Sequence, residues 1–142
     1  MKTNQQFLQS MLHTVQMGQS GIDCVLSQVR RPKLKEELLK QRAEYDRYEH
    51  QAKQIAAIHN WQISDISPAV TAMSRLMSKC RLLMGDVDSK IAGMMIQGNT
   101  RGMITGLKDL HRCTSATEDV YQYAQNLLNT ENINIQKTQP YL

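Results

Sequence analysis

The feature that most constrains the fold is a helical spacing of apolar residues that runs through four long segments with no proline inside them. The three prolines are Pro32, Pro68 and Pro140, at positions where a helix can begin or must end. In the first segment the apolar residues recur three and four positions apart from Phe7 to Val29, except between Val15 and Ile22, where Gly18 and Gln19 take the inward positions. The same spacing predicts helices over about 5–29, 33–59, 88–112 and 116–138, with a shorter one over 69–83.

The connections between these segments predict how the helices are arranged. Tight turns join the first two long helices and the last two, which favours two antiparallel hairpins. The predicted N-caps are Asn4, Asp86 or Asp88, and Thr114 or Ser115. A long crossover carrying the short helix links the hairpins. We therefore expect one all-α domain over residues 1–142, a ferritin-like antiparallel four-helix bundle with a short accessory helix in its crossover.

Composition excludes several classes of function. The chain has 142 residues and a net charge of +4, and its basic residues are interspersed with acidic ones, which argues against a nucleic-acid partner. The sequence has no run of 18 apolar residues, so it predicts no membrane span, and no apolar signal-peptide core follows Met1. Cys24, Cys80 and Cys113 form no CxxC pair, which is typical of reduced thiols. These features predict a cytoplasmic protein.

A hairpin, a long crossover and a second hairpin raise the question of a di-iron site. That site needs Glu-x-x-His on two helices, because residues three apart share a helix face. The histidines, each with the residue three positions before it, are His13 (Ser10), His50 (Arg47), His59 (Ala56) and His111 (Lys108). The standard di-iron motif is therefore absent from the sequence.

Polar residues occupy the corresponding levels of all four long helices. We predict that they form a buried polar layer, or a vestigial metal site, in which amides satisfy carboxylates. A simpler alternative is that several of them point to solvent. A second alternative is one divalent ion held by Glu44 and Glu131 with amide oxygens. The six residues are Gln19, Gln41, Glu44, Gln97, Glu131 and Asn134.

Several runs resemble uncharacterised bacterial ferritin-like four-helix-bundle proteins that lack the Glu-x-x-His motifs. The runs that resemble the first hairpin of those proteins are residues 18–23, 34–38 and 41–45. The runs that resemble the second hairpin are residues 91–100 and 131–135. The resemblance implies a fold and little about activity. Without Glu-x-x-His, it does not imply oxidase or iron-storage activity.

Glycines recur along the predicted helix 88–112. Glycine costs about 1 kcal/mol relative to alanine inside a helix, so several in one helix need a compensating contact. We expect close packing inside the bundle; a dimer contact, a peptide-binding groove or a helix break near Gly98 are the alternatives. The glycines are Gly93, Gly98, Gly102 and Gly106.

No nucleotide-binding or nucleophile motif accompanies these features. The expectation is a non-catalytic bundle without a cofactor, acting in protein interaction or as a structural element through the predicted helices 69–83 and 88–112. The methionines concentrated between Met73 and Met103 suit an adaptable surface or a core. A homo-oligomer, preferably a dimer, and a possible protein partner complete the prediction.

Overall fold

The computed structural model describes residues 1–66 and 85–142, and within these ranges the chain is dominated by four long α-helices. They are α1 (Asn4–Val25), α2 (Pro32–Ile58), α3 (Val87–Arg112) and α4 (Glu118–Thr138). Short 3-10 turns follow α1 at Leu26–Gln28 and α4 at Gln139–Tyr141. The predicted helix 69–83 lies outside the described residues.

The start of α1 differs from the prediction by one residue. Thr3, not Asn4, is the N-cap: its hydroxyl accepts from the Gln6 backbone N–H at 3.1 Å, and the Gln6 side chain accepts from the Thr3 N–H at 3.0 Å. Asn4 instead holds the turn before α4. Its side-chain oxygen accepts from the Thr117 N–H at 3.0 Å, and its amide donates to the Ser115 carbonyl at 3.1 Å.

At the start of α3, the two candidate caps have different roles. Asp86 is the cap, accepting from the Ser89 N–H at 3.1 Å. Asp88 is buried, and its carboxylate accepts from the backbone N–H groups of Arg30 at 2.8 Å and Arg31 at 2.9 Å. Asp88 therefore fastens the turn between α1 and α2 to the beginning of α3.

Contacts at the two ends of the bundle fix the direction of each helix. Lys2, before α1, donates to Asp109 near the end of α3 at 2.6 Å, so α1 and α3 are antiparallel. His59, after α2, contacts Asp119 at the start of α4 at 2.7 Å, so α2 and α4 are also antiparallel. The helices thus run up, down, down and up. The connection between α2 and α3 must cross from one end of the bundle to the other.

The first part of that connection follows α1. The Ser64 N–H donates to the Gln9 side chain at 2.8 Å, and the Ile66 N–H donates to the Gln16 side chain at 2.9 Å. Before it, the Trp61 ring stacks on His59 with centroids 4.1 Å apart. These contacts tie residues 61–66 to the bundle.

The core lies between the four helices and confirms the predicted all-α bundle. Its largest fully buried apolar side chains come from all four helices. No helix among the described residues has an apolar stretch that could cross a membrane. These buried side chains are Phe7, Leu8, Leu12, Val15, Ile22, Val25, Leu34, Leu38, Ile91 and Val120.

Candidate functional site

Four of the six residues predicted to form the polar layer are buried. Gln19 on α1 is 8% exposed, Gln41 on α2 is 3% exposed, and Glu131 and Asn134 on α4 are each 2% exposed. Burying polar groups of this size is unfavourable unless they find partners. Their partners therefore decide whether they form one network.

Gln41 and the end of α4 form one part of this group. The Gln41 amide donates to the Thr138 hydroxyl at 3.2 Å and to the Glu37 carboxylate at 3.0 Å. The Thr138 hydroxyl in turn donates to the Asn134 backbone carbonyl at 2.7 Å. Gln41 thus links α2 to α4. Gln19 is bonded elsewhere, since its amide donates to Asp46 on α2 at 2.9 Å.

Glu44 and Gln97 do not belong to the buried group, which corrects the prediction for these two positions. The Glu44 side chain is 38% exposed and lies 3.9 Å from Arg47. Gln97 is exposed. On α3 the inward position is taken by Asn99, which is 5% exposed. Successive residues turn by about 100° around a helix, so Gln97 and Asn99 face different directions, and only Asn99 reaches the buried group.

The centre of the buried group is a side chain that sequence reasoning left unassigned, Tyr45. Its hydroxyl lies 2.8 Å from the Glu131 carboxyl and 3.0 Å from the Asn99 side-chain oxygen. One hydroxyl hydrogen can serve only one of these acceptors at a time. Tyr45 lies four residues after Gln41, on the same face of α2, and that spacing was the available signal.

A glycine on α1 makes room for the Tyr45 ring. A Cβ atom added to Gly18 would lie 2.6 Å from the ring, closer than real contacts allow. Any larger residue at position 18 would displace the ring that bonds Glu131. This glycine stands in the run that carries the resemblance, although the predicted close-packing set did not include it.

Burial sets the electrostatics of the centre. Desolvation raises the pKa of Glu131 to about 7, and the hydrogen bond from Tyr45 only partly opposes that shift. Desolvation also raises the pKa of Tyr45 well above its usual value, and the nearby Glu131 charge adds to this. Glu131 is thus poised between its neutral and charged forms near neutral pH, while Tyr45 stays protonated.

Two amide groups beside this centre have no hydrogen-bond acceptor among the described residues. They are the Nδ2 atoms of Asn99 and Asn134. Buried polar groups without partners are rare in folded proteins, and each one calls for an explanation. Asn99 gains significance because it also lines a cavity.

A cavity of about 460 Å³ opens between α1 and α3, above the Tyr45 and Glu131 pair. Its α1 wall includes Met17 and Ile22, and its α3 wall includes Met94 and Met95. Polar side chains lie among these apolar ones, and Tyr45, Asn99 and Glu131 bring the buried centre to its surface. The other described residues that line it are Ser10, His13, Thr14, Gly18, Gly21, Gln41, Gln97, Gly98, Arg101, Gly102 and Thr105.

Only some of the α3 glycines are closely packed. A Cβ on Gly102 would lie 3.0 Å from the Thr14 methyl group and 3.3 Å from Glu131 Oε2, and one on Gly106 would lie 2.8 Å from Leu128. The dimer contact and the peptide-binding groove stay predictions, but the expectation of close packing inside the bundle is wrong for Gly98, where no atom of the described residues lies within 4 Å of such a Cβ. It is also wrong for Gly93, which has only an ordinary contact of 3.9 Å. α3 continues through Gly98 without a break.

The geometry gives no support to an ion shared by Glu44 and Glu131. Glu131 lines the main cavity, whereas Glu44 lines a separate polar cavity of about 260 Å³ with residues of α2 and α4. Within residues 1–66 and 85–142, no three His, Cys, Asp or Glu side chains are grouped so that they could hold a metal ion.

No protein-family model, curated protein or solved structure matches this chain.

Proposed function

We propose that the protein is a non-catalytic binding protein that takes a small amphipathic molecule into the cavity between α1 and α3. The observation that carries this proposal is the cavity of about 460 Å³, with apolar walls and a buried polar floor. Small-molecule sites generally occupy about 300–1,000 Å³ and combine apolar lining with a few placed polar groups. Met17, Met94 and Met95 suit an adaptable apolar wall.

A ligand also accounts for the spare hydrogen-bonding capacity at the floor. The Asn99 amide has no acceptor among the described residues, and the single Tyr45 hydrogen faces two acceptors. A ligand that carries one polar group and an apolar body matches this floor and these walls.

We propose binding rather than thiol chemistry, because the thiols among the described residues lie away from the cavity. Cys24 and Cys113 are buried, and neither is among the described residues that line the cavity. The carboxyl and hydroxyl groups at the floor bond to each other. Binding is therefore the role that these side chains support.

Ferritin-like ancestry is part of the proposal. It is supported by the directions of the four helices, which run up, down, down and up. This order requires a long crossover between α2 and α3. It is also supported by the buried polar residues at the level where ferritin-like bundles hold metal. A cytoplasmic location, a dimeric state and a protein partner stay predictions of the sequence.

The experiment uses a neutral amphipathic probe and two variants of Gly98. Gly98 lines the cavity, and an added Cβ meets no atom of residues 1–66 and 85–142 within 4 Å, so we expect a side chain to be accommodated there. Binding of naphthylmethanol is measured by fluorescence titration. We expect the wild type and Gly98→Ala to bind alike and Gly98→Phe, which fills the space, to bind at least tenfold more weakly.

Two outcomes would overturn the proposal. One is that the wild type does not bind the probe, or that Gly98→Phe binds it as well as Gly98→Ala. The other is that Gly98→Phe melts far below Gly98→Ala, because the space would then be filled by the chain itself. Thermal unfolding of both variants makes this second comparison.

A further inference from the structure

We propose that the ligand group that reaches the floor of the cavity is a cation, such as a protonated amine, paired with the Glu131 carboxylate. This inference rests on the proposed function, because it names the chemical class of the ligand for the same cavity. It follows from the surroundings of Glu131, a buried acid with no ion-pair partner among the residues 1–66 and 85–142.

The contacts of Glu131 are the first step. The residue is 2% exposed, and its Oε1 atom accepts from the Tyr45 hydroxyl at 2.8 Å. Its Oε2 atom lies beside Gly102, where an added Cβ would be 3.3 Å away. Since Gly102 and Glu131 both line the cavity, a ligand group can approach the carboxyl beside this glycine.

The charged groups around Glu131 are the second step. From α2 it faces Tyr45, whose pKa is raised and which therefore stays neutral, and the charge of Glu44 reaches the same hydroxyl. From α1 the ionisable side chain that lines the cavity is His13, which contacts the Ser64 carbonyl. From α3 it is Arg101, which is exposed. None of the ion pairs among the described residues includes Glu131.

The consequence for ligand charge is the third step. Burial raises the pKa of Glu131 to about 7 because its charged form lacks compensation. A bound ammonium group supplies that compensation and also donates hydrogen bonds to the carboxylate. A bound carboxylate would repel it, and a neutral hydroxyl gives a hydrogen bond without the charge pairing. Among ligands of one shape, we expect the ammonium to bind best and the carboxylate worst.

The pH dependence is the fourth step. An ammonium ligand favours ionised Glu131, whose fraction rises as the pH passes its pKa of about 7. Its affinity should therefore increase about tenfold between pH 6 and pH 8, by proton linkage. The amine keeps its proton across this range, since alkyl ammonium groups titrate near pH 10.

The test compares naphthylmethylammonium, naphthylmethanol and naphthoate as ligands of one apolar shape. Each is titrated by calorimetry into the wild type, Glu131→Gln and the control Glu36→Gln at pH 6 and pH 8. We expect the ammonium to bind the wild type most tightly, with the tenfold pH effect. Glu131→Gln should bind the ammonium no better than the alcohol and lose the pH effect. Glu36→Gln makes the same charge change at an exposed position of α2 that does not line the cavity, and it should keep both.

The outcomes separate this inference from the proposed function. One outcome is that the alcohol binds the wild type but not Gly98→Phe, while the ammonium binds the wild type no more tightly than the alcohol does. In that case the cavity is a binding site and the inference about charge is wrong. If the pH effect persists in Glu131→Gln, or disappears in Glu36→Gln, the effect does not come from Glu131 and the inference is again wrong. If none of the three ligands binds, both proposals are wrong. Circular dichroism of Glu131→Gln verifies that the variant is folded.

Discussion

The burial of Glu131 makes the stability of the protein depend on pH. Among the described residues the one hydrogen-bond donor to Glu131 is the Tyr45 hydroxyl, and burial raises the pKa of Glu131 from 4.5 to about 7. Between these two pH values the folded chain keeps a proton that the unfolded chain has lost. The stabilising contribution of Glu131 is therefore fully present below about pH 4.5 and is lost as the pH rises to about 7.

Glu131→Gln removes this titration and keeps a side chain of nearly the same shape. As the pH rises from 4 to 8, we expect the free energy of unfolding of the variant to increase by about 3 kcal/mol relative to that of the wild type. This value follows from about 1.36 kcal/mol for each unit of pKa shift. Urea unfolding of both proteins at the two pH values measures the difference. A change below about 1 kcal/mol would show that water or a counter-charge reaches the carboxyl.

At the scale of the element, α3 has two kinds of glycine. Gly102 and Gly106 lie where a side chain would meet α1 or α4, whereas Gly98 lines the cavity and no described residue lies within 4 Å of an added Cβ. The glycine spacing thus serves close packing at one end of the helix and leaves room for the cavity farther along. Helix propensity alone would favour alanine at all of these positions.

Gly102→Leu and Gly98→Leu form a matched pair on this helix. At position 102 the new side chain would meet the Thr14 methyl group and Glu131, so we expect a loss of about 2 kcal/mol or more. At position 98 the replacement should not lower stability, because leucine has the better helix propensity and space is available. Equal melting temperatures for the two variants would contradict the packing described for Gly102.

At the scale of the whole molecule, two buried aspartates on α3 fasten the hairpins together at opposite ends. Asp88 accepts from two backbone N–H groups in the turn after α1, and Asp109 accepts from Lys2 and from the Ser10 hydroxyl. We call these two sets of contacts the Asp88 clamp and the Asp109 clamp. Between them, α1 and α3 border the cavity. The clamps explain how the helices hold their places while leaving space between them.

We expect Asp88→Ala to cost about 2–4 kcal/mol, because it removes the acceptor that the backbone N–H groups of Arg30 and Arg31 share at a part-buried site. Asp109→Ala should cost about 1–3 kcal/mol. The two sites are about 30 Å apart along α3, so their effects should add within about 0.5 kcal/mol in the double variant. Urea unfolding of the two single variants and the double variant measures this sum. A marked departure from additivity would mean that the two ends are coupled.

Much of this architecture could be predicted from the sequence, because the helical spacing of apolar residues is strong and the prolines lie outside the long helices. The burial of Gln41, Glu131 and Asn134 also followed from their place beside core positions. The choice between neighbouring polar residues could not be predicted. Asn99 is inside and Gln97 outside because the rotation of α3 about its axis depends on packing, which apolar spacing alone defines only coarsely.

Two contacts were missed because they join residues far apart in the chain. Tyr45 and Glu131 are 86 residues apart, and Asp88 meets the Arg30 N–H across 58 residues. Asp88 looked like a helix cap, which is the local role of an acidic residue in a first turn. Its long-range role depends on where the turn after α1 lies in three dimensions.

The crossing of the α2 to α3 connection from end to end also bears on how the chain folds. Each hairpin is built from contacts that a short turn brings together, and such local loops close within microseconds. The clamps between the hairpins instead join residues as much as 107 positions apart, and long loops close at a greater entropic cost. Refolding is therefore expected to be limited by the meeting of two hairpins that have already formed, and the cavity comes into being only at that last step.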